Sequence, residues 1–183
     1  MLLCRVAVVL VGLVAAAGLL QASSQTAAPA TATVLVMNTV KGVVEIELLP
    51  DAPKSVAHVL ELVGRNFYRG LRIHVAQPAL VQFGDPATRN MEGMSSWGYG
   101  GSGRRLGFSE IGKRPFTRGI VGLAFRNGET ADQADSQLFI LKAANPSMNG
   151  KNVVVGRVTS GMDVVDKIQH ADVIRNITVK PTS

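Results

Sequence analysis

The chain has 183 residues, 46% of them hydrophobic, with 19 Lys and Arg against 13 Asp and Glu and one cysteine. That length suits one domain with a substantial buried core, and a lone cysteine excludes an internal disulfide framework. The basic residues fall singly or in pairs such as Arg104-Arg105 and Lys113-Arg114, the pattern of a solvated surface, so no nucleic-acid partner is expected.

The first segment stands apart. Met1-Leu-Leu-Cys-Arg5 is a short positive start, Val6 to Leu20 is an unbroken small and apolar run, and Ala22-Ser-Ser24 supplies small residues suited to a cleavage site. The run is shorter than the roughly 20 residues that span a bilayer. Residues 1–24 therefore read as a signal peptide, with an uncleaved anchor as the alternative, and Cys4 lies at the wrong end of the run for lipid attachment. The expected location is exported, periplasmic or secreted, with no membrane contact after cleavage. Removing Arg5 leaves 18 basic against 13 acidic residues, and the mature chain has no thiol. Gln25 to Thr33, rich in Ala, Thr and Pro, reads as a flexible spacer ahead of a domain over 34–181.

Val34 to Thr39 and Val43 to Leu48 form a hairpin around Lys41-Gly42, with Glu45 and Glu47 alternating against Val44, Ile46 and Leu48. Pro50-Asp51-Ala52-Pro53 breaks the strand and opens a helix whose apolar set, Val56, Val59, Leu60 and Val63, keeps helical spacing up to Gly64. Asp51 or Ala52 is the expected cap. His58 and Glu61 are three apart on that helix, but with no third ligand near them in sequence they read as a polar face and no metal is expected. Leu71 to Gly84 reads as two strands split by Gln77-Pro78.

Gly98-Tyr-Gly-Gly-Ser-Gly103 satisfies G-x-G-x-x-G literally, yet no strand precedes it and no helix follows, so it is a glycine loop and not a dinucleotide site. Trp97 is expected to pack beneath it. Ser95, Ser96, Ser102, Ser136 and Ser147 lie in no G-x-S-x-G elbow, which argues against a hydrolase. Ile120 to Phe125 and Gln137 to Leu141 are short apolar runs expected at the centre of a sheet. Alternation puts Gln137 and Phe139 on one face of their strand. Val153 to Gly156 is a further strand.

Several of these stretches carry a resemblance. Ala134-Asp-Ser-Gln-Leu-Phe-Ile140, Met148-Asn-Gly-Lys-Asn-Val-Val-Val-Gly-Arg-Val158 and Gly161-Met-Asp-Val-Val-Asp-Lys-Ile168 resemble the cyclophilins, the peptidyl-prolyl cis-trans isomerases. Upstream, Phe67-Tyr-Arg-Gly, His74, Pro78 and Gln82-Phe83-Gly84-Asp85-Pro86 fit the same family in the same order. The resemblance spans about Val34 to Val179. It implies a mainly β fold, a closed antiparallel β-barrel capped by two α-helices, here near Pro53 to Val63 and Met162 to Ile168. It also implies that His74 is structural.

Rotation about X-Pro meets a barrier of roughly 18 to 20 kcal/mol from amide resonance. No bond to carbon is made or broken, so the chemistry asks for no nucleophile, metal or cofactor, only tighter binding of the twisted amide than of either planar isomer. An apolar socket for the pyrrolidine, amides that fix one side of the peptide and a donor to the nitrogen suffice. By resemblance Phe139 is the socket floor, with Leu80, Val81 and Met148 as walls. Gln82 and Gln137 hold backbone groups, Ala124 and Phe125 pair with the peptide beside Arg126, and Gly98 and Asn152 lie at the rim.

The family follows its Phe-His with an arginine that serves the prolyl nitrogen, whereas this chain reads Ile73-His74-Val75 and is one residue shorter before Gln82. Either Val75 replaces the arginine or that residue is deleted. Arg126 at the groove edge is the candidate replacement donor, which makes Gln82, Phe139 and Arg126 the candidate catalytic set. The expectation is an isomerase, acting as a monomer without cofactor on proline-containing segments of exported proteins and aiding their folding. The alternative is a chaperone-like module that binds proline peptides with weak turnover or none.

Overall fold

A computed structural model describes residues 32–181. The expected signal peptide and most of the spacer lie outside the described residues. Eight strands follow in the order β1 Val34–Thr39, β2 Gly42–Leu48, β3 Val75–Ala76, β4 Leu80–Phe83, β5 Ile120–Leu123, β6 Leu138–Leu141, β7 Val154–Ser160 and β8 Ile174–Val179. Two helices, α1 Pro53–Gly64 and α2 Met162–Lys167, complete the set. The strands form one antiparallel sheet in the order β3-β4-β6-β5-β7-β2-β1-β8.

The sheet curls around an apolar interior. Inward positions of alternating strands supply Leu35, Met37, Val44, Ile46, Val81, Phe83, Leu138 and Ile140, and α1 adds Val59 and Leu62. The barrel is closed less completely than expected. No ladder joins β3 to β8; one isolated bridge, Arg72↔Val173, links the two ends. Backbone bonds from Ile73 N to Asp172 O (3.0 Å) and from Ile174 N to Leu71 O (2.8 Å) flank it.

Three local features have physical causes. Ala52 holds the N-cap position of α1, as expected, but its methyl group offers the first turn no hydrogen bond. Glu110, from the long segment after the glycine loop, accepts from Ser55 N (2.7 Å), Ser55 Oγ (2.8 Å) and Lys54 N (3.2 Å), so a carboxylate distant in sequence satisfies the orphan amides of the first turn. The Leu71 to Gly84 stretch is strand only over β3 and β4, joined by a tight turn in which Gln77 N donates to Leu80 O (2.9 Å). Strand β8, unassigned in the sequence reading, buries Ile174 and Ile177 three residues apart, which breaks the two-residue period that identifies a half-buried strand.

Candidate functional site

The groove is built on the outer face of β4 and β6. In β4, Val81 and Phe83 point into the barrel, so Leu80 and Gln82 point out. Gln82 lies directly across the ladder from Phe139 on β6 and from Val75 on β3, which places these three positions on one surface. The Nε2 of Gln82 donates to Oε1 of Gln137 (2.8 Å), and Gln137 Nε2 donates to the carbonyls of Gly98 (2.9 Å) and Gly100 (2.7 Å). The two carboxamides thus form a relay from the β4–β6 surface to the glycine loop.

Phe139 heads a second apolar cluster with Leu49, Phe116, Ile120, Ala124, Leu141 and Val154, against which Leu80 and Met148 are half-buried. Its ring is 6.1 Å from that of Phe116 and only 2% exposed. A side chain at residue 122 would put a Cβ 2.5 Å from the Phe139 Cζ, so glycine there lets the ring lie flat on β5. Val81 requires a correction. It is fully buried in the barrel core opposite Ile140 and cannot wall a groove, because the pleat gives the outer face to its neighbours Leu80 and Gln82.

Two clefts open beside Gln82. One, of about 490 Å³, is lined by Gln82, Gly98, Tyr99, Ala124, Phe125 and Gln137, with Arg105, Arg126, Glu129 and Asp135 as its charged groups. The other, of about 670 Å³, takes in His74, Val75, Gln82, Trp97, Tyr99 and Arg126. Leu80, Phe139, Met148 and Asn152 line neither. Asn152 is half-buried in the turn after Met148, to whose carbonyl its own N–H donates (3.4 Å). Phe125 is half-buried against the barrel core as well as facing the first cleft.

Val75 stands where an arginine would face Gln82, and the shorter connection is absorbed by the Gln77–Leu80 turn. No guanidinium stands at the β3 position that faces Gln82. Arg72 is turned away, its Nη1 donating to Ala171 O (3.1 Å). Arg126 does line both clefts with Gln82, but its guanidinium is already engaged. Its Nε and Nη2 meet Glu129 Oε1 at 3.1 and 2.6 Å, its backbone N–H meets Oε2 at 3.0 Å, and Arg105 Nη2 shares Oε1 at 2.9 Å. Hydrogen bonds from Arg126 hold the Glu129 carboxyl below the usual range.

The glycine loop hangs on two carboxylates. Asp85, with no exposure, accepts from Gly98 N (2.6 Å), Gly100 N (3.1 Å) and Ala87 N (2.8 Å). A Cβ at residue 100 would collide with this carboxylate, which is why the position is glycine. Asp135 accepts from Ser102 Oγ, Gly103 N (2.9 Å) and Arg104 N (3.2 Å), and His58 Nε2 lies 3.7 Å away. Burial pushes the Asp135 carboxyl up, but these partners outweigh it and hold it below its ordinary value. Behind the loop Trp97 stacks on His170 at 5.4 Å and donates to Asn90 O (3.1 Å), so it packs as a brace. His74 lines the wider cleft with Gly98, and burial lowers its imidazole below 6.5 against the pull of Asp85. Of His58 and Glu61, the first faces Asp135 and the second pairs with Arg104.

The family model for cyclophilin type peptidyl-prolyl cis-trans isomerases matches residues 34–183. The chain belongs to that family. A protein of Brucella suis named "Probable peptidyl-prolyl cis-trans isomerase" is 40% identical over 144 residues, covering 76% of this chain and 72% of the relative. Peptidyl-prolyl cis-trans isomerase B of Bacillus subtilis is 32% identical over 139 residues, covering 75% of this chain and 90% of that protein. Among solved structures, a cyclophilin of Cryptosporidium parvum superposes with a TM-score of 0.69 at 22% identity over 83% of this chain and 99% of its own, a likeness of fold. In this cyclophilin the residues that the sequence reading passed over are Tyr99, Arg105 and Glu129. Glu129 left a local trace, three residues beyond Arg126 across a turn; Arg105 left none, since the segment carrying it is placed by Asp135 and, through its own Glu110, by Ser55 on α1.

Proposed function

We propose that the chain accelerates cis-trans rotation of X-Pro bonds in exported proteins and so aids their folding. The observation that carries this reading is the cross-strand pair of Gln82 and Phe139, with Gln137 bonded to Gln82. The half-buried Leu80 and Met148, with Ala124 at the cleft wall, offer the apolar surface for the pyrrolidine, Phe139 supports it from beneath, and the carboxamides hold backbone groups on the side that does not turn. Catalysis then rests on a donor that meets the nitrogen as it becomes pyramidal. Arg126 fills that role from the wall facing Val75, with Glu129 holding its guanidinium.

Exchange spectroscopy on a proline peptide with the purified protein tests this. Arg126→Ala is expected to lower kcat/KM by about a hundredfold, the scale for loss of one donor in the transition state. Returning a guanidinium by Val75→Arg in the same variant is expected to restore most of the loss. Unchanged turnover in Arg126→Ala removes that residue from the mechanism. One observation favours a second reading, a proline-peptide binding module with little turnover: the guanidinium is committed to Glu129 and the residue facing Gln82 is valine. Saturable peptide binding without acceleration selects this reading over the enzyme.

A further inference from the structure

The smaller cleft brings four charged side chains together beside Gln82, and its hydrogen-bonding capacity is lopsided. Every carboxylate oxygen there is occupied. Glu129 Oε1 receives Arg105 and Arg126, its Oε2 receives the Arg126 amide, and the Asp135 oxygens receive Ser102, Gly103 and Arg104. The guanidinium groups are not exhausted. Arg105 donates through Nη2 alone and Arg126 through Nε and Nη2, so both Nη1 groups and the Arg105 Nε–H stay free of protein partners among the described residues. Exposure follows the same division: the Arg105 and Arg126 side chains are 49% and 41% exposed, those of Glu129 and Asp135 only 16% and 13%. A segment lying in the groove therefore meets unspent donors at the surface, with the acceptors recessed behind them.

We propose that this cleft selects client segments bearing a carboxylate side chain near the proline, with Arg105 as a specificity-determining residue and Glu129 as the internal anion that holds the two guanidinium groups ready. The proposal rests on the isomerase reading and names the substrate class of the same groove. Planar guanidinium groups donate paired N–H bonds to the two oxygens of a carboxylate; a lysine side chain on the client has no acceptor for them, and a glutamine has one uncharged oxygen.

The test uses proline peptides blocked at both ends, with Glu, Gln or Lys placed in turn at each of the three positions on either side of the proline. Turnover and affinity are both measured, at low and high salt. At one position Glu is expected to exceed Gln by about fivefold in affinity and kcat/KM, the scale of one partly exposed charge-assisted contact. Lys should rank below Gln, and the spread should shrink at high salt. Arg105→Glu should reverse the order. Glu129→Gln, which removes the anion that holds both guanidinium groups in place, should narrow the spread and serves as the second variant. Equal values for Glu, Gln and Lys at every position, or an order untouched by both variants, overturn the proposal while the isomerase reading stands. Glu-selective binding without turnover supports the selectivity and overturns the isomerase reading. No binding and no turnover overturn both.

Discussion

Two loops border the same cleft and are fastened by different physics. Gly98–Gly103 is tied by carboxylates set into the structure: Asp85 has no exposure and its three N–H partners are backbone. Arg126–Thr130 is tied by Glu129 to arginine side chains open to solvent. A buried carboxylate saturated by amides is costly to disturb, because its loss strands every donor it satisfied. An exposed ion pair is screened by salt and contributes little to stability. One wall is therefore fixed and the opposite one can adjust. That division suits a groove that must grip one side of a peptide while the other side turns.

The largest effect expected comes from removing the fixed anchor. Asp85→Ala strands the amides of Gly98, Gly100 and Ala87, and should lower unfolding free energy by about 3 kcal/mol in a denaturant titration. Turnover should fall as well, since Gln137 bonds to the same glycines. An unfolding midpoint equal to the wild type would mean that the two loops do not differ as described. Next in size is Asp135→Asn. The amide keeps one acceptor oxygen, so a loss of about 1 to 2 kcal/mol is expected. Glu129→Gln should leave the midpoint within error in salt while changing peptide selectivity; a large loss of stability would place that loop in the same class as its neighbour.

The legibility of the chain divides along the same line. The hairpin from Val34 to Leu48 and α1 could be read because local alternation and helical spacing report which face is buried, and β5 and β6 because they are unbroken apolar runs, buried at every position. Gln82 and Phe139 were legible as a pair through family resemblance, and strand parity then decided which neighbours accompany them. Applied to β4, that parity would have excluded Val81, since Val81 and Gln82 are adjacent and must point to opposite faces. What stayed hidden depends on contacts between distant segments. The Glu110 cap on α1, the Asp135 anchor of the loop and the meeting of Arg105 with Glu129 all join residues at least 24 apart in sequence. Periodicity carries no information about such pairings.

The smallest expected effect probes the fixed wall through His74, which borders the wider cleft with Gly98 and feels the charge of Asp85. Burial, together with the charge of His170, lowers the His74 imidazole below its ordinary 6.5, while Asp85 pulls it upward. The unfolded chain then binds more protons than the native one as pH falls below 6.5, so stability should decline on acidification through that range and rise again towards neutrality. The difference between wild type and His74→Gln isolates this residue from His58 and His170, and the variant should show a flatter slope between pH 5 and 7.5. An NMR titration of the His74 ring should place its midpoint below 6.5. A midpoint above 6.5 would mean that Asp85 attraction defeats burial and that the fixed wall also contains an ion pair, which would bring the two loops closer in kind.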